Sequence, residues 1–126
     1  MARKKSSSLT DAELRLMDVL WARGAATVSE VIAGLPKDVP LAYSTVLTTL
    51  RILENKGYLE HSKDGRAFTY RPAVKREQAR EKAVTHLLRR FFDNSPELLM
   101  LNLIDGKKID AKELARLRKR IEEANS

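Results

Sequence analysis

Tyr43-Ser44-Thr45-Val46-Leu47-Thr48-Thr49-Leu50-Arg51-Ile52-Leu53-Glu54-Asn55-Lys56-Gly57 runs directly into Tyr58-Leu59-Glu60-His61-Ser62-Lys63-Asp64-Gly65-Arg66-Ala67-Phe68-Thr69-Tyr70-Arg71-Pro72, and this stretch decides the fold. Wound at roughly 100° per residue, its first half places Val46, Leu50 and Leu53 on one apolar stripe. Ser44, Thr48, Arg51 and Asn55 fall on the opposite side, with Thr45 at its edge. An ordinary surface helix fills such a side with Glu and Lys, which propagate helix well, whereas Thr lowers helix propensity. Short hydroxyls and an arginine suit a surface that meets bases and phosphates. The bland alternative is solvated helix surface, where Thr also occurs.

The second half reads as a β-hairpin. Tyr58 to Ser62 and Ala67 to Arg71 are rich in strand formers, and Asp64-Gly65 between them is expected to supply the positive φ angles of a tight turn. Phe68 and Tyr70 alternate with polar neighbours, so one face can lie on helices. Lys63 and Arg66 flank the tip, where a phosphate-contacting wing carries cations. A recognition helix followed by a basic hairpin is the order of a winged helix-turn-helix.

The rest of the chain agrees with this order. Thr10 and Glu13 form a capping-box pattern before a helix from Asp11 to about Arg23, with Leu14, Met17, Val19, Leu20 and Trp21 on a broad apolar face and Gly24 as its end. Ala25 and Ala26 read as an extended bridge. A short helix over 27–34 turns Val28, Val31 and Ile32 inward, and Pro36 and Pro40 bound the next loop. The third helix starts near Ala42 and stops at Gly57, whose missing Cβ suits a left-handed cap.

From Lys75 onward the pattern is helical again. Ala79, Ala83, Leu87 and Phe91 line one stripe and Val84, Leu88 and Phe92 an adjacent one. Ser95-Pro96 opens a further helix to Gly106, and Asp110 caps a last one that spaces Leu114, Leu117 and Ile121 along a face. Three such helices are more apolar than so short a segment buries by itself, which points to a dimer interface formed by Leu87, Leu88, Phe91, Leu98, Leu101, Leu114, Leu117 and Ile121. The alternative is that they fold back on the first domain of a monomer. The expected architecture is mainly α with a small β-hairpin wing: a basic arm over 1–8, a winged helix-turn-helix domain over 9–73 and a three-helix dimerisation module over 74–126.

Composition bounds the chemistry. The 126 residues are 43% hydrophobic, enough for a core, and contain no cysteine. Disulfides, thiolate nucleophiles and cysteine-based metal sites are therefore excluded. No apolar run reaches the length of a membrane span, and the basic start Met1 to Ser8 has no apolar region after it, unlike a secretory signal. A cytoplasmic location without membrane insertion is the expectation.

The net charge of +7 favours polyanionic partners. Residues 1–72 carry 11 Lys or Arg against 8 Asp or Glu, an excess equal to Arg3, Lys4 and Lys5 alone. Placement rather than total charge must then carry any contact with DNA. The candidate DNA-contacting residues are Arg3, Lys4, Lys5, Tyr43, Ser44, Thr45, Thr48, Arg51, Lys63 and Arg66.

Leu9-Thr10-Asp11-Ala12-Glu13-Leu14, Val19-Leu20-Trp21, Tyr43-Ser44-Thr45-Val46 to Leu50, and Lys56-Gly57-Tyr58-Leu59 with the hairpin and three C-terminal helices resemble the penicillinase repressor family, the BlaI/MecI type. The similarity covers residues 9–123. It implies a bacterial, homodimeric winged-helix repressor of pseudo-palindromic operators, dimerising through its C-terminal helices. It also implies a switch: in β-lactam-responsive members a membrane-bound sensor-protease signals, and the repressor is cut at an Asn-Phe bond in its dimerisation domain. The corresponding pair here is Asn102-Leu103, so Leu stands where the family pattern has Phe. Copper-responsive relatives use a C-terminal cysteine motif, which this chain lacks. Leu47 and Ile52 stand where some relatives place Arg, so no particular operator sequence carries over.

Two other classes compete. An enzyme would need a catalytic constellation, but His61 and His86 are the only histidines, and no nucleophile, glycine-rich phosphate loop or metal-spaced ligand set accompanies them. No catalytic residue, metal or cofactor is expected. A winged-helix module that binds protein and not DNA is the stronger rival, because fold alone does not settle function. Trp21 and the Leu-rich helix near 98–104 read as core packing, so no small-molecule effector is expected.

Overall fold

The computed structural model describes residues 8–38 and 40–126. Helix α1 (Asp11–Arg23) opens at Thr10, whose hydroxyl accepts the Glu13 N–H while the Glu13 carboxylate accepts the Thr10 N–H at 2.8 Å. Strand β1 (Ala26–Thr27) leads into α2 (Val28–Gly34), which Thr27 and Glu30 cap in the same reciprocal way. Then come α3 (Tyr43–Asn55), β2 (Leu59–Asp64), β3 (Ala67–Pro72), α4 (Arg76–Phe91), α5 (Pro96–Asp105) and α6 (Ala111–Ala124). The fold is mainly helical with one antiparallel sheet in the order β1-β3-β2. Among the described residues no helix is long and apolar enough to cross a membrane.

The chain divides into two compact units, with the boundary inside α4 between His86 and Leu87. In the first, Leu16, Met17 and Leu20 of α1, Val31 of α2, and Val46, Leu50 and Leu53 of α3 are fully excluded from solvent, and Tyr58, Leu59 and Tyr70 close the core from the hairpin. Leu14, expected inward, is 41% exposed, and Leu16 takes its place. The apolar face of α1 is broad enough to hide its own centre, which runs through residues 13, 16, 17 and 20. The extended bridge expected at Ala25 and Ala26 is instead a strand one residue later, with Ala26 opposite Tyr70 and Thr27 opposite Thr69.

The junction between α3 and β2 is fixed twice. Tyr58 N–H donates to Leu53 O at 2.9 Å and Gly57 N–H to Glu54 O at 3.0 Å, with Gly57 at φ 88°. This is the Schellman pattern, in which a left-handed glycine satisfies the last carbonyls of the helix. Beside it, Lys56 Nζ lies 2.8 Å from Glu13 Oε1 and donates to Ser8 O at 3.3 Å. The carboxylate that caps α1 is thus also the counter-ion of the residue that ends α3. Further along, Trp21 Nε1–H donates to Val74 O at 2.9 Å and Arg76 stacks over the indole, docking the start of α4 on α1.

In the second unit, Asp93 and Asn94 take positive φ and turn the chain from α4 into α5, which Ser95 caps by accepting the Leu98 N–H. Asp110 and Glu113 form the capping box of α6. No residue of this unit is buried. Leu87, Phe91, Leu98, Leu101, Leu114, Leu117 and Ile121 are exposed, with Phe91 at 65% and Ile121 at 62%, and Leu88 is half-buried. Ile104, absent from the expected interface, is exposed as well.

Burial pushes the Glu13 carboxyl up, but hydrogen bonds from Lys56 and Thr10 and the Lys56 charge outweigh it and hold its pKa below the ordinary 4.5. A depressed folded-state pKa contributes stability that is present above 4.5 and lost as pH falls through the folded value. Glu13→Gln is therefore expected to flatten the acid limb of a urea-midpoint profile below pH 4.5. Lys56→Ala at neutral pH should cost about 2–3 kcal/mol by leaving the carboxylate buried without its partner, lowering the urea midpoint with the slope unchanged.

Candidate nucleic-acid interface

Packing decides which side of α3 is bare. With Val46, Leu50 and Leu53 locked into the core, Ser44, Thr45, Thr48, Arg51 and Asn55 remain exposed, and the Tyr43 ring stands 56% exposed at the first position of the helix. The Thr49 hydroxyl is turned back onto the helix, donating to the Thr45 backbone carbonyl at 2.8 Å, and leaves the Thr45 side chain exposed. Side chains cap α1, α2, α5 and α6, whereas Ala42 gives α3 no side-chain acceptor, and no acidic residue stands in its first turn. Its first N–H groups keep a positive field turned outward, where anions are favoured.

The wing differs from expectation at its tip. Strand β2 continues through Lys63 and Asp64, with Lys63 opposite Phe68 and Asp64 opposite Ala67, so the two loop residues are Gly65 and Arg66. Gly65 carries the positive φ, 65°, and Asp64 does not. Glycine first in a two-residue loop is the habit of the II′ hairpin turn. The sequence pair Asp-Gly suggested the other primed turn because it is the commoner signal. Arg66 consequently sits at the apex itself and Lys63 just inside it, on the strand face shared with Phe68 and His61.

Several other cations of this unit are engaged, though Arg15, Lys37, Lys75 and Arg80 form no ion pair among the described residues. Arg71 donates to Glu60 at 3.0 Å and to Ser62 at 3.3 Å across the wing, Arg23 pairs with Glu30, and Lys56 pairs with Glu13. Arg51, Lys63 and Arg66 form no ion pair among the described residues. His61 Nδ1 lies 2.8 Å from Glu54 Oε1, and its ring packs 4.6 Å from that of Phe68, which ties the wing to the end of α3. Burial holds the Tyr70 phenol above its ordinary range, Glu54 adding to this and Arg51 opposing it.

Between α3, the start of α2 and the wing lies a hollow of about 300 Å³, lined by Thr27, Val28, Ser29, Tyr43, Leu47, Arg51, Arg66, Ala67 and Phe68. The expected contact residues Tyr43, Arg51 and Arg66 therefore meet at one place, with Lys63 next to it in the strand. Leu47 was expected on the flank of this face, whereas Thr27, Ser29 and Phe68 were not foreseen there. Their convergence comes from the pairing of β1 with β3, which no local sequence signal announces. Arg3, Lys4 and Lys5 lie outside the described residues. Among the described residues no group of three His, Asp or Glu side chains is placed to hold a metal ion.

A family model described as Penicillinase repressor matches residues 9–123. The chain belongs to the penicillinase repressor family. It is 32% identical over 120 residues to the penicillinase repressor of Bacillus licheniformis, covering 95% of this chain and 94% of that one. It is 21% identical over 114 residues to the methicillin resistance regulatory protein MecI of Staphylococcus aureus (strain N315), covering 90% and 93%. The solution structure of the DNA binding domain of the repressor BlaI superposes with a TM-score of 0.52 at 37% identity, over 60% of this chain and 93% of that one. Membership agrees with the winged-helix architecture of the first unit. Because Thr48 and Arg51 are exposed and make no side-chain bond among the described residues, Thr48→Ala and Arg51→Ala should each change unfolding free energy by less than about 0.5 kcal/mol. Urea titration checks this, and a larger loss would show that the bare face serves the fold.

Proposed function

We propose that this family member is a homodimeric repressor that binds a pseudo-palindromic operator in duplex DNA. The observation that carries this reading is the bare polar face of α3, set beside a wing whose apex and flank hold cations that form no ion pair among the described residues. Ser44, Thr48 and Arg51 present hydroxyls and a guanidinium suited to base edges in the major groove, and Tyr43 and Thr45 stand at the rim of that surface. Arg66 and Lys63 meet phosphates, which fix position without reading sequence. The structural relative described as a DNA binding domain supports the same use of this unit. A protein occupying such an operator blocks transcription by excluding polymerase.

The second unit supplies the pairing. Eight large apolar side chains of this unit, Ile104 among them, stand in water, an excess that a second copy of the same face covers under twofold symmetry. Two linked reading heads bind with far greater avidity than one. Release follows if that link is cut. Asn102 is exposed in α5, Leu103 is half-buried, and the Asn102 carbonyl accepts the Gly106 N–H at 3.0 Å. A protease reads extended chain, so a cut at Asn102-Leu103 by a membrane-bound sensor-protease requires the last turn of α5 to open first. It would separate α6 from the DNA-binding unit.

Fluorescence anisotropy on a labelled duplex at several salt concentrations tests the DNA contact. The native chain should show a steep fall of affinity with salt, and Arg66→Ala should reduce the logarithmic slope by about one at unchanged sequence preference. A slope equal to that of the native chain removes the wing from the interface. Leu117→Glu combined with Ile121→Glu should sediment as a folded monomer and bind operator on the order of 10²-fold more weakly; a double variant that remains dimeric places the interface elsewhere.

A further inference from the structure

We infer that the hollow between α3 and the wing reads the 5-methyl group of a thymine, with Leu47 as the residue that selects it. This rests on the operator-binding reading above and names what one part of that surface recognises. At 100° per residue Leu47 lies roughly 40° from Arg51 and 60° from Ser44, on the side of the helix that turns toward the wing. It is half-buried, with part of its side chain packed on the core and the rest opening into the hollow. The exposed ring of Phe68 and the side of Tyr43 also line this space, so it has an apolar wall beside the Thr27 and Ser29 hydroxyls and the two arginines.

The major-groove edge of a base pair offers one apolar feature, the thymine methyl. That methyl projects from the pyrimidine edge toward its own sugar-phosphate backbone, so a site that takes it must meet a phosphate close by. The hollow has that composition: an apolar wall from Leu47 and Phe68, and two guanidinium-bearing residues, Arg51 and Arg66, neither of them in an ion pair among the described residues. Its volume of about 300 Å³ is more than a methyl needs and leaves room for the edge of a nucleotide. Water held against Leu47 and Phe68 is released when the methyl enters, and this drives the preference.

The test uses the full chain and a duplex recovered from randomised DNA by selection on it, resynthesised with each thymine replaced in turn by 2′-deoxyuridine. That change removes the methyl and leaves pairing intact. Replacement at one position in each half-site is expected to weaken binding about fourfold per site, the effect of one buried methyl-sized group, while other thymines tolerate it. Leu47→Gln should bind thymine and uracil duplexes equally at that position, with its thermal unfolding followed alongside. Uracil tolerated at every position by the native chain overturns the inference without need of a variant. Uracil sensitivity that survives in Leu47→Gln assigns the methyl to another residue, and a uniform loss on all duplexes makes the hollow a seat for the sugar-phosphate strand; both outcomes overturn it. Failure to recover any motif would instead overturn the operator-binding reading itself.

Discussion

Everything the first unit presents to a partner depends on how α3 is seated. Val46, Leu50 and Leu53 are fully excluded from solvent, and a helix locked through three positions over two turns cannot rotate without exposing them. Large-to-small changes at such sites cost several kcal/mol, so the seating is strongly determined. Once the buried stripe is fixed, the direction of Ser44, Thr48 and Arg51 is fixed as well. The Gly57 cap and the Lys56–Glu13 pair then set where the wing leaves the helix, so α1, α3 and the hairpin are positioned by a few shared contacts. The recognition surface is a by-product of the core.

Much of this was legible from residues. The inward positions of α3 follow from periodicity, the caps at Thr10, Ser95 and Asp110 from their side-chain types, and the end of α3 from a glycine that takes a positive φ. Those signals are local, and local rules hold where the chain satisfies its own hydrogen bonds. What escaped was set by tertiary packing. Leu14 and Leu16 are the same residue type two positions apart, and only contact with α3 and the sheet decides which is buried. The extended bridge at Ala25 and Ala26 was legible, but its place one residue later and its pairing as strand β1 exist because Tyr70 and Thr69 lie alongside.

The candidate site divides along the same line. The bare face of α3 could be drawn on a helical wheel, but the hollow that joins it to the wing could not. That hollow needs β3 to lie between β1 and β2, which brings Thr27 and Ser29 near Arg66 and Phe68. The wing tip shifted by one residue because Gly65, and not Asp64, takes the left-handed conformation. This shift moves Arg66 from the flank of the turn to its apex, the position from which a side chain reaches furthest.

The second unit obeys a different constraint. Helices α5 and α6 are capped, yet no residue from Leu87 onward is buried, so a layer of apolar side chains is left to be covered by something else. On the proposed reading a twofold partner covers it and at the same time doubles the recognition surface, which would join stability and operator choice in one contact. The most direct test is to select randomised duplex DNA on the purified chain and read the recovered motif for symmetry. A spaced inverted repeat, its halves set about one helical turn apart, is the predicted result. A single unrepeated motif, or none at moderate salt, would contradict the dimeric operator-binding account.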